Sequence, residues 1–385
     1  MALSGTGLAA PPKNAIDTAV TLFRDAGHQL ADPPILQPAN VFIDLTGEDI
    51  RRRLYLTSGA NGTDLCLRPD FTIPVCRAHL ESGAARLPAA YFYHGPVFRQ
   101  RAEGLGEIPQ IGAESLGRAD RDVADADMLA LSVQALDAFG AQAAQIRTGD
   151  ESLFVAVLDG LGLPAVWRRR LRDLFGEPEK LAKAIARMAG NTADDDRDIR
   201  LGFLSALDGA DPADARAAVE DLLSIAGISA VGGRSAGEIA ERFLEQAALA
   251  KGSSGSVAAA ETLSAYLSIT APADQAGAAV ATFAKQNGLD LSAPLAAYTA
   301  RLSAMRDRGL DVGAITFDAG FGRRLDYYTG FIFEIYGPAG AKGGQLVGGG
   351  RYDRLLNLLG AKADIPAIGF SIWLDRVAAA TGARA

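Results

Sequence analysis

The chain has 385 residues, 49% of them hydrophobic and 22% charged, with a formal net charge of −8; this length asks for two or three domains, and the composition excludes a disordered or fibrous protein. The acidic balance argues against a broad basic face for tRNA or DNA, and no apolar run reaches membrane-spanning length. The N-terminal stretch MALSGTGLAAPPKNAIDTAV has no basic segment followed by a sustained apolar one, so no secretory leader is expected and the protein reads as cytoplasmic. Cys66 and Cys76 form no CxxC pair, and His28, His79 and His94 are scattered. The cysteines read as two buried thiols, and no metal or other cofactor is assigned.

In chain order, residues 14–27 have the apolar spacing of an amphipathic helix, with Gly27 as its stop. ADPPILQPANVF is extended, opened by two prolines, and its second half is expected to be a strand. LYLTSGANGTDLCLRPD predicts a hairpin turning at Asn61-Gly62, and FTIPVCRAHLESG a helix after it. AAYFYHGPVFRQ alternates like a strand, with QIGAESLG as its antiparallel partner. Residues 122–139 predict a helix with an acidic first turn, and AQIRTGD a strand. The texture then changes. Trp167, Leu171, Leu174 and Phe175 fall at helical spacing, and residues 180–270 are alanine-rich and helix-like, broken by the solvated loops GNTADDDRD and KGSSGS. Strands resume in GAITFDAGFGRRLDYYTGFIFEIY. GPAGAKGGQLVGGGRYD reads as a glycine-rich loop to the next strand. It contains no GxxxxGK[ST], and its glycines suit a hairpin and a strand edge open to close approach. A helix, DRLLNLLG, precedes a final strand and helix, AIGFSIWLDRVAAA. Paired antiparallel strands with grouped helices indicate an α+β fold. The expected organisation is a core in two parts, residues 1–150 and 271–385, around a helical insertion at 151–270.

Four separated segments share one chemical logic. LRPDFT offers Asp70 and Thr72; FRQRAEG offers Arg99 and Arg101; QIGAE offers Gln110 and Glu114; GRRLDYYTG offers Arg323, Asp326, Tyr327 and Tyr328. Carboxylates and amides can hold an α-ammonium, and arginine can take a carboxylate or phosphate bidentately. Two adjacent tyrosines on a strand would put one ring on each face, one lining a pocket and one in the core.

In order and wording these segments resemble the class II aminoacyl-tRNA synthetase core, in its histidyl branch. LRPDFT is similar to LRPEGT of that branch, GPVFRQ to its motif 2 strand, QIGAE to its QxxxE strand, and RRLDYYTGFIFE to the histidine-specific RGLDYYxxxVFE. GGGRYDRLL and IGFSIWLDRV resemble the approach to motif 3 and motif 3 itself, which ends in Arg376. PPILQPANVF resembles motif 1, whose proline lies at the family's dimer interface. The resemblance implies an antiparallel sheet flanked by helices, and a self-dimer.

The departures bear on function. Arg101 stands where the synthetases have the acid of FRxE, the motif 2 loop is shorter, and Arg324 replaces a glycine. The chain ends nine residues after Arg376, where synthetases continue into an anticodon-binding domain, so neither that domain nor tRNA binding is expected. This combination resembles the regulatory subunits of ATP phosphoribosyltransferase, in the first step of L-histidine biosynthesis. That resemblance implies no catalytic residues and a hetero-octamer with a short-form catalytic subunit. It also implies L-histidine as an effector, with Asp70, Thr72, Arg99, Gln110, Glu114, Arg323, Tyr327 and Tyr328 as its candidate ligands. Two alternatives stay open: a truncated histidine-activating enzyme, which retained Arg99, Arg323 and Arg376 would suit, and a synthetase-like domain serving another sensor.

Overall fold

The computed structural model describes residues 10–45, 51–83, 87–101, 106–141, 145–190, 217, 221, 230–231, 234–235, 257–323, 327–338 and 344–382. The chain divides into two compact units, residues 1–156 with 266–385, and residues 157–265.

The first unit opens with α1 (Lys13–Asp25), which buries Ala19 and Phe23 and is followed by Gly27 at φ +83°, a conformation that favours glycine. β1 (Gln29–Leu30) and β2 (Leu36–Pro38) follow, then α2 (Ala39–Leu45). The strand expected over the second half of ADPPILQPANVF therefore stops at Pro38, and ANVF is helical. Proline ends the ladder because it has no N–H for a further rung, and its fixed φ suits helix entry. β3 (Leu56–Ser58) and β4 (Asp64–Leu67) form the expected hairpin. Its loop spans Gly59–Thr63, closed by Gly59 N–H on the Thr63 carbonyl at 2.8 Å, with Gly62 at φ +72°. α3 (Thr72–Glu81), β5 (Ala89–Phe98), β6 (Glu107–Leu116), α4 (Arg121–Ala138) and β7 (Gln145–Asp150) come where the sequence places them.

α5 (Glu151–Gly160) leads into the second unit. There α6 (Ala165–Asp173) buries Trp167 and Leu171 as the spacing predicts, with Leu174 and Phe175 buried just beyond it. α7 (Pro178–Met188) buries Leu181, Ile185 and Met188. β8 (Ala230–Val231) pairs with β9 (Arg234–Ser235), and α8 (Val257–Leu267) leads back out. Residues 191–198 of GNTADDDRD, and all of KGSSGS, lie outside the described residues.

The first unit resumes with β10 (Thr270–Pro272), α9 (Ala273–Gln286), α10 (Ser292–Asp307), β11 (Ile315–Asp318), β12 (Phe331–Tyr336), β13 (Gln345–Arg351), the single turn α11 (Leu355–Leu358), β14 (Ala367–Trp373) and α12 (Leu374–Thr381). Nine strands form one sheet in the order β1-β5-β6-β14-β13-β12-β7-β11-β10. Its pairs are antiparallel except β1–β5 and β7–β11, so the α+β reading holds. β2, β4 and β3 make a separate small sheet.

One expectation is corrected inside the large sheet. QLVGGGR is not loop but β13, paired to β12 on one side and β14 on the other. Its glycines make room for neighbours: a Cβ at Gly349 would fall against the Phe333 ring, and one at Gly350 against Ile332 and Tyr328.

Beneath α4 a buried ion network joins distant segments. Asp125 accepts from Arg351 Nε at 3.0 Å and Arg301 Nη1 at 3.3 Å; Arg301 also pairs with Asp150, and Arg351 with Asp353 at 2.8 Å. Cys66 and Cys76 are free buried thiols, as read from the sequence. Among the described residues no helix is long and apolar enough to cross a membrane, and no group of three or more His, Cys, Asp or Glu could hold a metal ion.

Candidate functional site

Strand register assembles the site. On one face of the large sheet Tyr93, Gly112, Ser371, Gly348 and Glu334 lie in a row across β5, β6, β14, β13 and β12. Two residues along, Tyr91, Glu114, Gly369, Gly350 and Ile332 form the next row, and Gly95, Gln110 and Trp373 begin a third. The period of two therefore puts Gln110, Gly112 and Glu114 on the same side. The glycines are a floor on which longer side chains lie flat. A Cβ at Gly369 would overlap Glu114 Oε2, one at Gly348 would overlap the Arg323 guanidinium, and one at Gly112 the Tyr93 hydroxyl.

Glu114 is wholly buried, and both its oxygens are engaged: the Thr72 hydroxyl donates to Oε1 at 2.8 Å and the Tyr352 hydroxyl to Oε2. Burial pushes its pKa up to about 8, against the two hydroxyls that favour the anion. Asp70 differs. Its Oδ1 accepts the Ile73 N–H at 3.1 Å near the start of α3, while its buried Oδ2 has no protein partner. Burial raises its pKa to about 6, opposed by the Arg99 charge. Arg99 donates from Nε to the Pro69 carbonyl at 2.6 Å, and burial lowers its own pKa.

Gln110 is 1% exposed, and neither its amide oxygen nor its amide nitrogen has a protein partner. Arg323 holds its Nε 3.7 Å from Glu334 Oε1 and lies over the rings of Tyr328 and Trp373, at 5.8 and 5.9 Å. Its buried Nη1 is also without a partner. Tyr327 and Tyr328 precede β12 rather than belonging to a strand, so the expected alternation of their rings across a sheet does not apply. Both rings are buried, 5.4 Å apart, and Tyr327 meets Tyr352 edge-on at 6.0 Å. Arg324 and Asp326 lie outside the described residues.

The arginines of motif 2 and motif 3 have partners within the chain. Arg101, standing where the acid of FRxE would be, pairs with Asp375 of α12 at 3.3 Å. Arg376 donates to the Gln345 carbonyl at 3.0 Å and lies 4.8 Å over Trp373. Sequence reasoning missed Tyr352 and Glu334 as parts of the site. Both stand in segments it quoted, GGGRYD and FIFE, but only the fold reveals which pocket atoms they meet.

A histidyl-tRNA synthetase family model matches residues 9–232 and 240–377. ATP phosphoribosyltransferase regulatory subunits of Brucella ovis and Brucella abortus are each 43% identical to this chain over 355 residues, spanning 92% of it and 93% of each relative. Among solved structures, an ATP phosphoribosyltransferase regulatory subunit/histidyl-tRNA synthetase from Bacillus halodurans aligns with a TM-score of 0.66 at 20% identity, over 99% of this chain and 84% of that one. Histidyl-tRNA synthetase from Nostoc sp. PCC 7120 aligns with a TM-score of 0.61 at 15% identity, over 98% and 74% of the two chains. At those identities the solved structures speak for the fold.

Proposed function

The chain belongs to the family of ATP phosphoribosyltransferase regulatory subunits, and on that basis we propose that it is the non-catalytic partner of a short-form catalytic subunit in a cytoplasmic hetero-oligomer, with free L-histidine as effector in the pocket above the glycine floor. The observation that carries this reading is the set of buried polar atoms without protein partners: Asp70 Oδ2, Gln110 Oε1 and Nε2, and Arg323 Nη1. Two kinds of acceptor suit an α-ammonium, and two donors suit a carboxylate or a ring nitrogen. Leaving such atoms unpaired costs about 1–3 kcal/mol each, so a small zwitterion with a polar ring offsets several penalties at once. Tyr327 and Tyr328 supply ring faces. Thr72 and Glu114 form a polar wall already hydrogen-bonded to itself, and Arg99 steadies the Asp70 charge.

The engagement of Arg101 by Asp375 and of Arg376 by Gln345 supports a site that takes up an amino acid without activating it. The acidic net charge supports a protein that does not grip tRNA. The test is reconstitution with a short-form catalytic subunit, measuring phosphoribosyl-ATP formation with and without histidine. Activity that needs this chain and falls with histidine supports the reading. Robust histidine-dependent pyrophosphate exchange by the purified chain would replace it with the histidine-activating enzyme.

A further inference from the structure

Glu334 of β12 faces Gly348 of β13 on one side and Arg147 of β7 on the other. Arg147 is the cation that this register offers first, yet its guanidinium pairs with Asp318 and lies 4.7 Å over the Phe321 ring. The Glu334 carboxylate meets Arg323 instead, whose Nε lies 3.7 Å from Oε1. Neighbouring side chains hold the carboxylate in that direction. The Tyr336 hydroxyl donates to Oε2, and Gln345 Nε2 donates to Oε1 at 2.7 Å. Gln345 is anchored in turn, since Arg376 donates to its carbonyl at 3.0 Å.

Arg323 needs such an anchor. It belongs to no strand or helix, and its long side chain has many rotamers to lose on becoming fixed. Gly348 leaves the space in which the guanidinium lies, and Tyr328 and Trp373 offer ring faces. Neither space nor ring faces select which nitrogen points where; a carboxylate beside Nε does, because the guanidinium is a planar fork. With Nε turned to Glu334, the buried Nη1 is left without a protein partner. As a device for stability this pair is a poor one: both side chains are largely buried, 13% and 14% exposed, and the unpaired Nη1 adds a penalty. A carboxylate locked by two donors on a strand is suited to preorganising a binding group.

We propose that Glu334 is a positioning residue, which orients Arg323 so that its guanidinium receives the carboxylate of the ligand; the assignment rests on the histidine reading above. The experiment measures L-histidine binding by calorimetry to the full chain, alone and assembled with a short-form catalytic subunit. It compares wild type, Glu334→Gln, Arg323→Gln and the double substitution, with a thermal melt of each. Glu334→Gln keeps an acceptor for its neighbours and removes the charge beside Nε. Each single substitution should weaken histidine about tenfold or more. The double substitution should be within about threefold of Arg323→Gln alone, because Glu334 acts only through Arg323. Tyr336→Phe, which removes only the hydroxyl on Oε2, gives a milder second cycle. It should weaken histidine about threefold beside Arg323 and leave the affinity of Arg323→Gln unchanged. Losses that multiply, to about a hundredfold in the double substitution, would show Glu334 acting apart from Arg323 and overturn the assignment. So would a Glu334→Gln affinity within about threefold of wild type, or a Tyr336→Phe loss that is equal on both backgrounds. If the wild type binds no histidine in either form, the functional reading falls and the positioning role with it; if the wild type binds and the cycle fails, the positioning role falls alone.

Discussion

Asp70 and Glu114 are both buried carboxyls, yet their surroundings give them different work. Glu114 has a hydroxyl on each oxygen and a pKa pushed up to about 8 by burial. Its folded value lies above the ordinary 4.5, so the folded state holds the proton more tightly than the unfolded one. Its contribution to stability is therefore fully present below about 4.5 and is lost as pH rises towards about 8. Thermal melts of the wild type should fall between pH 5 and pH 8. Glu114→Gln, which keeps one donor and one acceptor but cannot ionise, should flatten that fall; a variant whose melts keep the wild-type slope would show that another group governs it. Asp70 has one buried oxygen without a protein partner and a pKa raised to about 6. An ammonium beside it rewards the ionised form. Histidine inhibition of the reconstituted complex should weaken as pH drops below about 6. Asp70→Asn should raise the inhibition constant about tenfold or more, since about 1.4 kcal/mol is a factor of ten. An inhibition constant unchanged by this substitution would move the histidine site elsewhere.

Among the elements, β13 decides most about the pocket. A Cβ at Gly348 would overlap Arg323 Nη1, the far end of a flexible side chain, so Gly348→Ala should displace the guanidinium rather than break the strand. Overpacking costs about 1–3 kcal/mol, and the measurable signature is a melt lowered by a few degrees with histidine affinity reduced about tenfold or more; wild-type affinity would mean that Arg323 takes no part in holding the ligand. This strand is also where the sequence was hardest to read. A run of three glycines signals turn or loop because glycine alone carries no strand preference. What makes it a strand is its pairing with β12 and β14; its glycines answer the need of Phe333, Tyr328 and Arg323 for space, and no window around residue 348 reveals either. Helices with one apolar stripe, such as α1 and α6, and the alternating β5 were legible, since their periodicity is local. The candidate site was legible as segments: LRPDFT, QIGAE and the two tyrosines of LDYY each hold residues that the fold brings near one another. Their partners were not legible, because the bond between Glu114 and Tyr352 crosses 238 positions of sequence. Nor was the arrangement of Tyr327 and Tyr328, which depended on a strand beginning four residues earlier than Phe331, where β12 starts.

Across the whole molecule, two features set how the first unit holds together and what it meets. Asp125, Arg301, Arg351 and Asp150 tie α4, α10, β13 and β7 through charges that water does not reach. Removing one member leaves its partners charged and buried, so Asp125→Ala should cost about 3–5 kcal/mol in denaturant unfolding; a loss below about 1 kcal/mol would mean the network relaxes to water. The second feature faces outward. In the small sheet β2-β4-β3 the outer strands β2 and β3 have no further strand beside them among the described residues. Leu36 on β2 is 51% exposed, with Ile35 and Leu30 exposed just before it in sequence, whereas Leu56 on β3, 65% exposed, lies on the opposite face of the small sheet. Unpaired edges carrying leucine invite association. Pro33 and Pro34, the motif 1-like segment, immediately precede this apolar stretch. A two-fold contact is the commonest way for a chain to close such a surface on itself. The isolated chain should therefore sediment as a dimer, or a multiple of one, at micromolar concentration. Ile35→Asp/Leu36→Asp should shift it to monomer without changing its far-ultraviolet dichroism. A dimer that survives this double substitution would place the two-fold contact on another face.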